Sequence, residues 1–210
     1  MGLAQERRDS GTLYEIIAGN VARTSGRRAN KNEEYGEVDI MGDVIFSIKQ
    51  MEYDHIEKIV SAYGEPVNGS FGQYITRCFE ENQATERTTF VAFIDNEVAG
   101  FVNIIFKSEY PYFRERNIPE INDLRVISQY RKRGIGKGLI DKCEEYASSK
   151  YEYIGLGVGL YKDYGSAQRL YTKNGYIFDG NGLMYKNVEV KPGNNAFVND
   201  DLLLYLYKRI

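Results

Sequence analysis

The chain has 210 residues, 42% of them hydrophobic and 27% charged, enough for one domain with an appendage and for a core that needs no disulfide or structural metal. Its formal net charge of -3 lacks the basic excess of a nucleic-acid-binding face, so any polyanion site must be local. No run approaches the roughly 18 apolar residues that span a bilayer, Met1 to Arg7 lack the apolar segment of a signal peptide, and Cys78 and Cys143 stand apart without metal-like spacing; packing cysteines in a reduced, cytoplasmic compartment are expected, with no membrane partner.

Residues 1–42 mix Arg23, Arg27, Arg28 and Lys31 with Glu33, Glu34, Glu37 and Asp39, and only Leu13 to Val21 has a helical texture. The segment reads as a charged N-terminal extension, mostly a solvated face, with a partner-binding or homodimer arm as the alternative. A single domain is expected over 43–210. From Val44 the alternation of Val44, Phe46 and Ile48 with Ile45, Ser47 and Lys49 predicts a strand, followed by a helix over about Tyr53 to Tyr63. The only histidine, His55, falls in that helix far from every motif and is expected at the surface, which leaves a Ser/His/Asp triad or a histidine-based metal site without support.

Ser70 is placed to cap a second helix through about Asn82. Thr88 to Ile94 and Val98 to Phe106 flank the polar turn Asp95-Asn96-Glu97 as an antiparallel hairpin. An aromatic loop, Glu109-Tyr110-Pro111-Tyr112-Phe113, leads to a strand from about Glu120 to Ile127, a Gly-rich turn, and a helix near Gly134 to Ser148. A strand over Tyr153 to Leu160, a helix from about Ser166 to Lys173, the turn Asn174-Gly175, and strands near Tyr176 to Phe178 and Leu202 to Tyr207 complete the chain. Interspersed strands and helices predict an α/β (α+β) fold with a mixed sheet.

The densest signal is Arg131-Lys132-Arg133-Gly134-Ile135-Gly136-Lys137-Gly138, between an apolar strand and a helix whose buried face reads Ile135, Leu139, Cys143 and Ala147. Glycines remove Cβ atoms where a ligand approaches the main chain, and the first helical turn leaves amides unpaired. The helix dipole and the four cations then favour an anion such as a pyrophosphate. The spacing does not fit a nucleotide P-loop, and glycines this late in the chain fit a dinucleotide fingerprint poorly. A solvated basic loop before a glycine-bearing helix is the plain alternative.

Arg131, Gly134 and Gly136 in the pattern Arg-x-x-Gly-x-Gly resemble the coenzyme A pyrophosphate motif of the GNAT acetyltransferase family. Ile121 to Val126, with Val126 five residues ahead of Arg131, resembles that family's fourth strand, and Ala167-Gln168-Arg169-Leu170-Tyr171-Thr172-Lys173-Asn174-Gly175-Tyr176 resembles its Ala-x-x-Leu-Tyr-x-x-x-Gly-Phe/Tyr segment. The resemblance covers roughly 44–178 in element order and implies a mixed, mostly antiparallel central sheet flanked by helices. It implies acetyl-coenzyme A as co-substrate with no metal, held by Leu124, Val126, Arg131, Lys132, Arg133, Gly134, Ile135, Gly136 and Lys137. Tyr164 stands where the family often has Asn, which puts one coenzyme hydrogen bond in doubt.

Amide formation needs a neutral amine, yet an ammonium of pKa about 10.4 is neutral in fewer than about one molecule in a thousand at pH 7. A carboxylate acting directly or through a water lowers that barrier. Glu120, eleven residues before Arg131, resembles by position the glutamate base of the family's histone-acetylating branch. Asp123 is the other candidate, but it falls on the opposite face of a regular strand unless a bulge intervenes. Tyr171 resembles the family's general acid for the leaving thiolate; its plain reading is a core aromatic. Gly155, Gly157 and Gly159 either leave a bare strand face for the pantetheine arm or permit close packing. The loop of Tyr110, Tyr112, Phe113 and Glu115 and the segment 71–79 are candidate walls for a cationic acceptor, with Tyr110, Tyr112 and Asp123 as candidate substrate-binding residues; loop tyrosines packed over the sheet are the plain alternative.

An amine N-acetyltransferase acting on a small molecule or peptide is therefore expected. A non-catalytic acyl-coenzyme A-binding module of the same fold and a polyanion-binding protein are the alternatives.

Overall fold

The computed structural model describes residues 38–41 and 44–210, so the charged extension other than Val38–Met41, with its helical stretch Leu13 to Val21, lies outside the described residues. In chain order the elements are β1 (Val38–Met41), β2 (Val44–Gln50), α1 (His55–Ala62), α2 (Ser70–Gln83), β3 (Arg87–Ile94), β4 (Glu97–Ile105), α3 (Pro111–Glu115), β5 (Glu120–Val126), α4 (Ile135–Ser148), β6 (Tyr153–Gly159), α5 (Gly165–Lys173), β7 (Ile177–Phe178), β8 (Met184–Tyr185), β9 (Val188–Glu189) and β10 (Leu202–Arg209). Short 3-10 turns lie at Ser128–Tyr130 and Lys162–Tyr164. The strands make one sheet in the order β1-β2-β3-β4-β5-β6-β10-β8-β9, with β7 also on β10. Every pairing is antiparallel except that of β5 with β6, which gives the expected mixed sheet. Val38–Met41, read in sequence with the extension, is an edge strand of this sheet. Among the described residues no helix is long and apolar enough to cross a membrane.

Helices α4 and α5 cover one face. The i, i+4 series Ile135, Leu139, Cys143 and Ala147 of α4 is at most 1% exposed and packs on Phe46, Ile48, Val102, Ile104 and Ile121 of the sheet. Each fully buried Leu or Ile there contributes about 1.5–3 kcal/mol. Helices α1 and α2 cover the other face through Ile56, Ile59, Val60 and Ile75 against Val91, Phe93 and Phe101. Thr89 Oγ1 donates to Asn103 Oδ1 at 2.7 Å and Asn103 Nδ2 donates to the Tyr74 hydroxyl at 3.0 Å, which satisfies polar groups buried where α2 meets the sheet. A third cluster of Tyr110, Phe113, Ile118, Met184 and Tyr205 lies under α3.

Local details depart from the sequence reading for identifiable reasons. Asp95 and Asn96 both take positive φ (49° and 66°), so the hairpin turn has two residues and Glu97 already belongs to β4. Gly69, not Ser70, is the N-cap of α2, without a side-chain cap bond. The aromatic loop contains α3 because Pro111, with φ preset, opens a helical turn. β8 and β9 lack a sequence signal: Lys186 and Asn187, at φ 51° and 62°, form a two-residue turn without the glycine that would mark it. His55, expected at the surface, is 5% exposed: its ring packs on Phe93 at 4.9 Å and its Nδ1 accepts the Glu52 N–H at 3.1 Å. Both cysteines are buried and free, as expected.

Candidate active site

The cradle is built where β5 ends. The chain leaves Val126, makes the 3-10 turn, passes Lys132 at φ 63° and reaches Gly134 at φ 85°, the left-handed N-cap of α4. A residue with a Cβ at Gly134 is strained, and the N-cap has no side-chain bond, so the first-turn amides of the 14-residue helix remain open to an anion. The glycines do separate jobs. A Cβ on Gly136 would stand 3.3 Å from Leu170 and 3.7 Å from Val126, so this glycine brings α4, α5 and β5 together. A Cβ on Gly138 would meet the Phe46 ring at 2.7 Å, so that glycine serves packing. The cations also divide. Arg131 Nε donates to the Val126 carbonyl at 3.0 Å and staples the turn, Lys137 pairs with Asp141 at 2.5 Å, and Arg133 lies over the Tyr130 ring at 5.8 Å.

Beside the cradle the sheet opens. β5 and β6 pair only at Glu120 with Gly155 and Ile121 with Leu156, and their ladder stops there. On its other side β5 carries a bulge: Asn122 faces Asn103 and Arg125 faces Phe101, so three steps of β5 match two of β4. A bulge therefore does intervene between Glu120 and Arg125, and Asp123 lies in it at φ 53°. After the bulge Leu124 and Val126 pack toward the α4 face, while Arg125 turns to the α1–α2 face, its guanidinium 5.4 Å from the Phe71 ring and 5.9 Å from Phe101. Arg125 Nε donates to Asp123 Oδ1 at 2.6 Å.

Tyr171, on α5, is buried among Cys143, Leu139 and Tyr176, and its hydroxyl makes no hydrogen bond among the described residues. Burial, with smaller contributions from Cys143 and the Asp123 carboxylate, pushes its pKa up to about 12. Glu120 is 8% exposed; Ser108 Oγ donates to its Oε2 at 2.5 Å and itself accepts the Tyr110 N–H at 3.0 Å. Burial raises the Glu120 pKa, the nearby Glu109 charge adds to it, and hydrogen bonds from Ser108 and Asn122 oppose it. Ser108 has no sequence signal as its partner, since the pairing depends on the β4–β5 crossing.

Tyr110 and Tyr112 differ in their surroundings. Tyr110 is 3% exposed, stacks on Tyr205 at 3.8 Å and donates to Asp179 Oδ2 at 2.6 Å, so its ring is held by packing, while its N–H bonds the Ser108 that contacts Glu120. Tyr112 carries Arg116 over its ring at 3.9 Å and lines a groove with Lys150, Tyr153 and Tyr207, beyond the C-terminal end of α4. That groove and the cradle are a helix length apart, about 21 Å for 14 residues. The strand glycines of β6 are also packing residues: Cβ atoms at Gly155 and Gly159 would meet the rings of Phe113 at 2.3 Å and Tyr164 at 2.4 Å, and one at Gly157 would meet Leu203 and Tyr205 at 3.1 Å. Tyr164 lies over Gly159 and, with Tyr161, donates to Asp200 Oδ1. Of the candidate walls, the segment 71–79 lies near the bulge, with the Phe71 ring 5.4 Å from the Arg125 guanidinium.

Residues 54–176, more than half of the chain, match the sequence profile described as the acetyltransferase (GNAT) family. Similar solved structures include an acetyltransferase of the GNAT family from Streptococcus pneumoniae (17% identity, 79% of this chain and 99% of that one, TM-score 0.56). An N-acetyltransferase from Staphylococcus aureus Mu50 aligns at 15% identity over 78% of this chain and 98% of that one, with TM-score 0.58. A spermidine N-acetyltransferase from Vibrio cholerae, in complex with CoA and spermine, aligns at 15% identity over 78% and 95% of the two chains, with TM-score 0.53. Among curated proteins none matches the sequence significantly.

Proposed function

Since the chain belongs to the GNAT acetyltransferase family, we propose that it transfers an acetyl group from acetyl-coenzyme A to a primary amine of a small molecule or peptide by direct attack. The observation that carries this reading is the parting of β5 from β6 beyond Ile121 and Leu156, beside the open first turn of α4. A pyrophosphate fits that turn: the first-turn amides of Ile135, Gly136 and Lys137 have no helical partner, Gly134 makes the left-handed entry, and Arg131, Lys132 and Arg133 are exposed. Leu124 and Val126 offer main-chain groups along the gap for the pantetheine arm.

In this mechanism the amine enters from the α1–α2 face and Glu120 takes its proton through a bridging water, a role that suits a carboxyl whose proton affinity burial has raised. The nitrogen attacks the thioester carbon, and Tyr171 donates to the thiolate as the C–S bond breaks. Its hydroxyl, with a pKa of about 12, stays protonated at neutral pH. The bulge favours a second reading of the base, because it carries Asp123 to the cleft where its charge reaches Tyr171.

Thiol release measured against a panel of amines tests the proposal. Turnover is expected in the parent, abolished in Gly134→Glu, and reduced about a hundredfold in kcat for Tyr171→Phe with coenzyme affinity retained. Comparison of Glu120→Gln with Asp123→Asn identifies the base. A parent that binds acetyl-coenzyme A tightly but acetylates nothing would instead favour a binding module.

A further inference from the structure

Arg125 is a cation in a cleft assigned to a cationic amine, and the mechanism above gives it no task. It precedes Val126 on β5 and faces the α1–α2 side, packed against Phe71 and Phe101. Its Nε is committed to Asp123, which fixes the plane of the guanidinium. The terminal nitrogens have no hydrogen-bond partner among the described residues, and the side chain is 46% exposed. Beside it the Tyr63 hydroxyl is buried without a hydrogen bond, within reach of the charges of Arg125 and Asp123. The Tyr63 ring lies 5.3 Å from that of Phe71 and 5.9 Å from that of Phe101. A buried hydroxyl left unpaired is costly, and a free guanidinium fork against aromatic walls matches the two oxygens of a carboxylate.

We infer that the acceptor carries a carboxylate beside its reactive amine, as a free amino acid does, and that Arg125 and the Tyr63 hydroxyl recognise it. The inference rests on the acetyltransferase reading. Asp123 and Arg125 present an ion pair of fixed orientation, and a zwitterion aligned against it puts its carboxylate on Arg125 and its ammonium toward Asp123, next to the gap between β5 and β6. A polyamine brings no anion to the Arg125 fork. A peptide N-terminus lacks the adjacent carboxylate.

The test is calorimetric binding of free amino acids, the corresponding amino acid amides and diamines to protein saturated with coenzyme A, followed by kcat/KM for each with acetyl-coenzyme A. Free amino acids are expected to bind about tenfold to a hundredfold more tightly than their amides, and to be preferred by a similar factor in kcat/KM. Arg125→Gln should erase that preference while coenzyme affinity holds, Arg125→Lys should restore part of it, and Tyr63→Phe should lower it. Amides or diamines that match or exceed amino acids in the parent, or a preference that survives in Arg125→Gln, would overturn the inference while leaving acetyl transfer intact. Absence of coenzyme binding in the parent overturns the acetyltransferase reading, and this inference with it.

Discussion

A carboxyl group removed from water holds its proton more tightly, and Glu120, 8% exposed beside Ser108, is in that position. As the base, it must be deprotonated to work. The rising limb of kcat/KM with pH is therefore expected at an apparent pKa above the ordinary carboxylate range, and Glu120→Gln should lose that limb together with most of the activity; if only Asp123→Asn does so, Asp123 is the base. The same shift bears on stability. The native state binds the Glu120 proton more tightly than the unfolded chain, so its contribution is full below the ordinary value of 4.5 and is lost as pH rises through the raised folded value. Glu120→Gln should gain melting temperature relative to the parent across that window. His55 has the opposite sign: burial lowers its pKa, so its contribution is present above 6.5 and is lost as pH falls through the lowered folded value. His55→Asn should flatten the acid side of the stability profile, as read by thermal melts across pH.

At the scale of elements, the glycines of β6 and α4 set how closely the layers approach. Gly155 faces Phe113, which is fully buried and has no room to move, so Gly155→Ala should cost about 1–3 kcal/mol in denaturant unfolding, and Phe113→Leu should recover part of the loss in the double variant. Gly134→Ala should cost about 1–2 kcal/mol for its positive φ and weaken coenzyme binding, because the strain falls on the turn that aims the amides of α4. Both substitutions add the same methyl group, yet only the second should change the coenzyme Kd.

For the whole molecule, the order of strands in space matters more than the extent of the family match. β10, last in the chain, lies between β6 and β8 and pairs with β6 from Leu203 to Arg209. It buries Leu202, Tyr205 and Leu206. A fragment limited to residues 54–176 lacks both β10 and β2, exposing β6 and β3 as apolar edges. It should show neither cooperative unfolding by circular dichroism nor coenzyme binding, while the full chain shows both.

Much of this was legible in the sequence. The i, i+4 series of α4, the alternation at the start of β2, the Asp95-Asn96 turn and the Gly134 helix start depend on neighbours a few residues away, so the pattern of the chain determines them; the mixed sheet follows from their order and the family from the linked motifs around Arg131 and Tyr171. Tertiary structure alone decided the rest. The bulge at Asp123 depends on the register of β5 against β4, and one extra residue there reverses which side chains face α4 and which face α2. The burial of Glu120 beside Ser108, the stacking of Tyr110 on Tyr205, the inward turn of His55 onto Phe93, and the rings that fill the face left bare by Gly155, Gly157 and Gly159 all join residues distant in sequence. No local period encodes such contacts, because cross-strand register and packing are settled only when the strands meet.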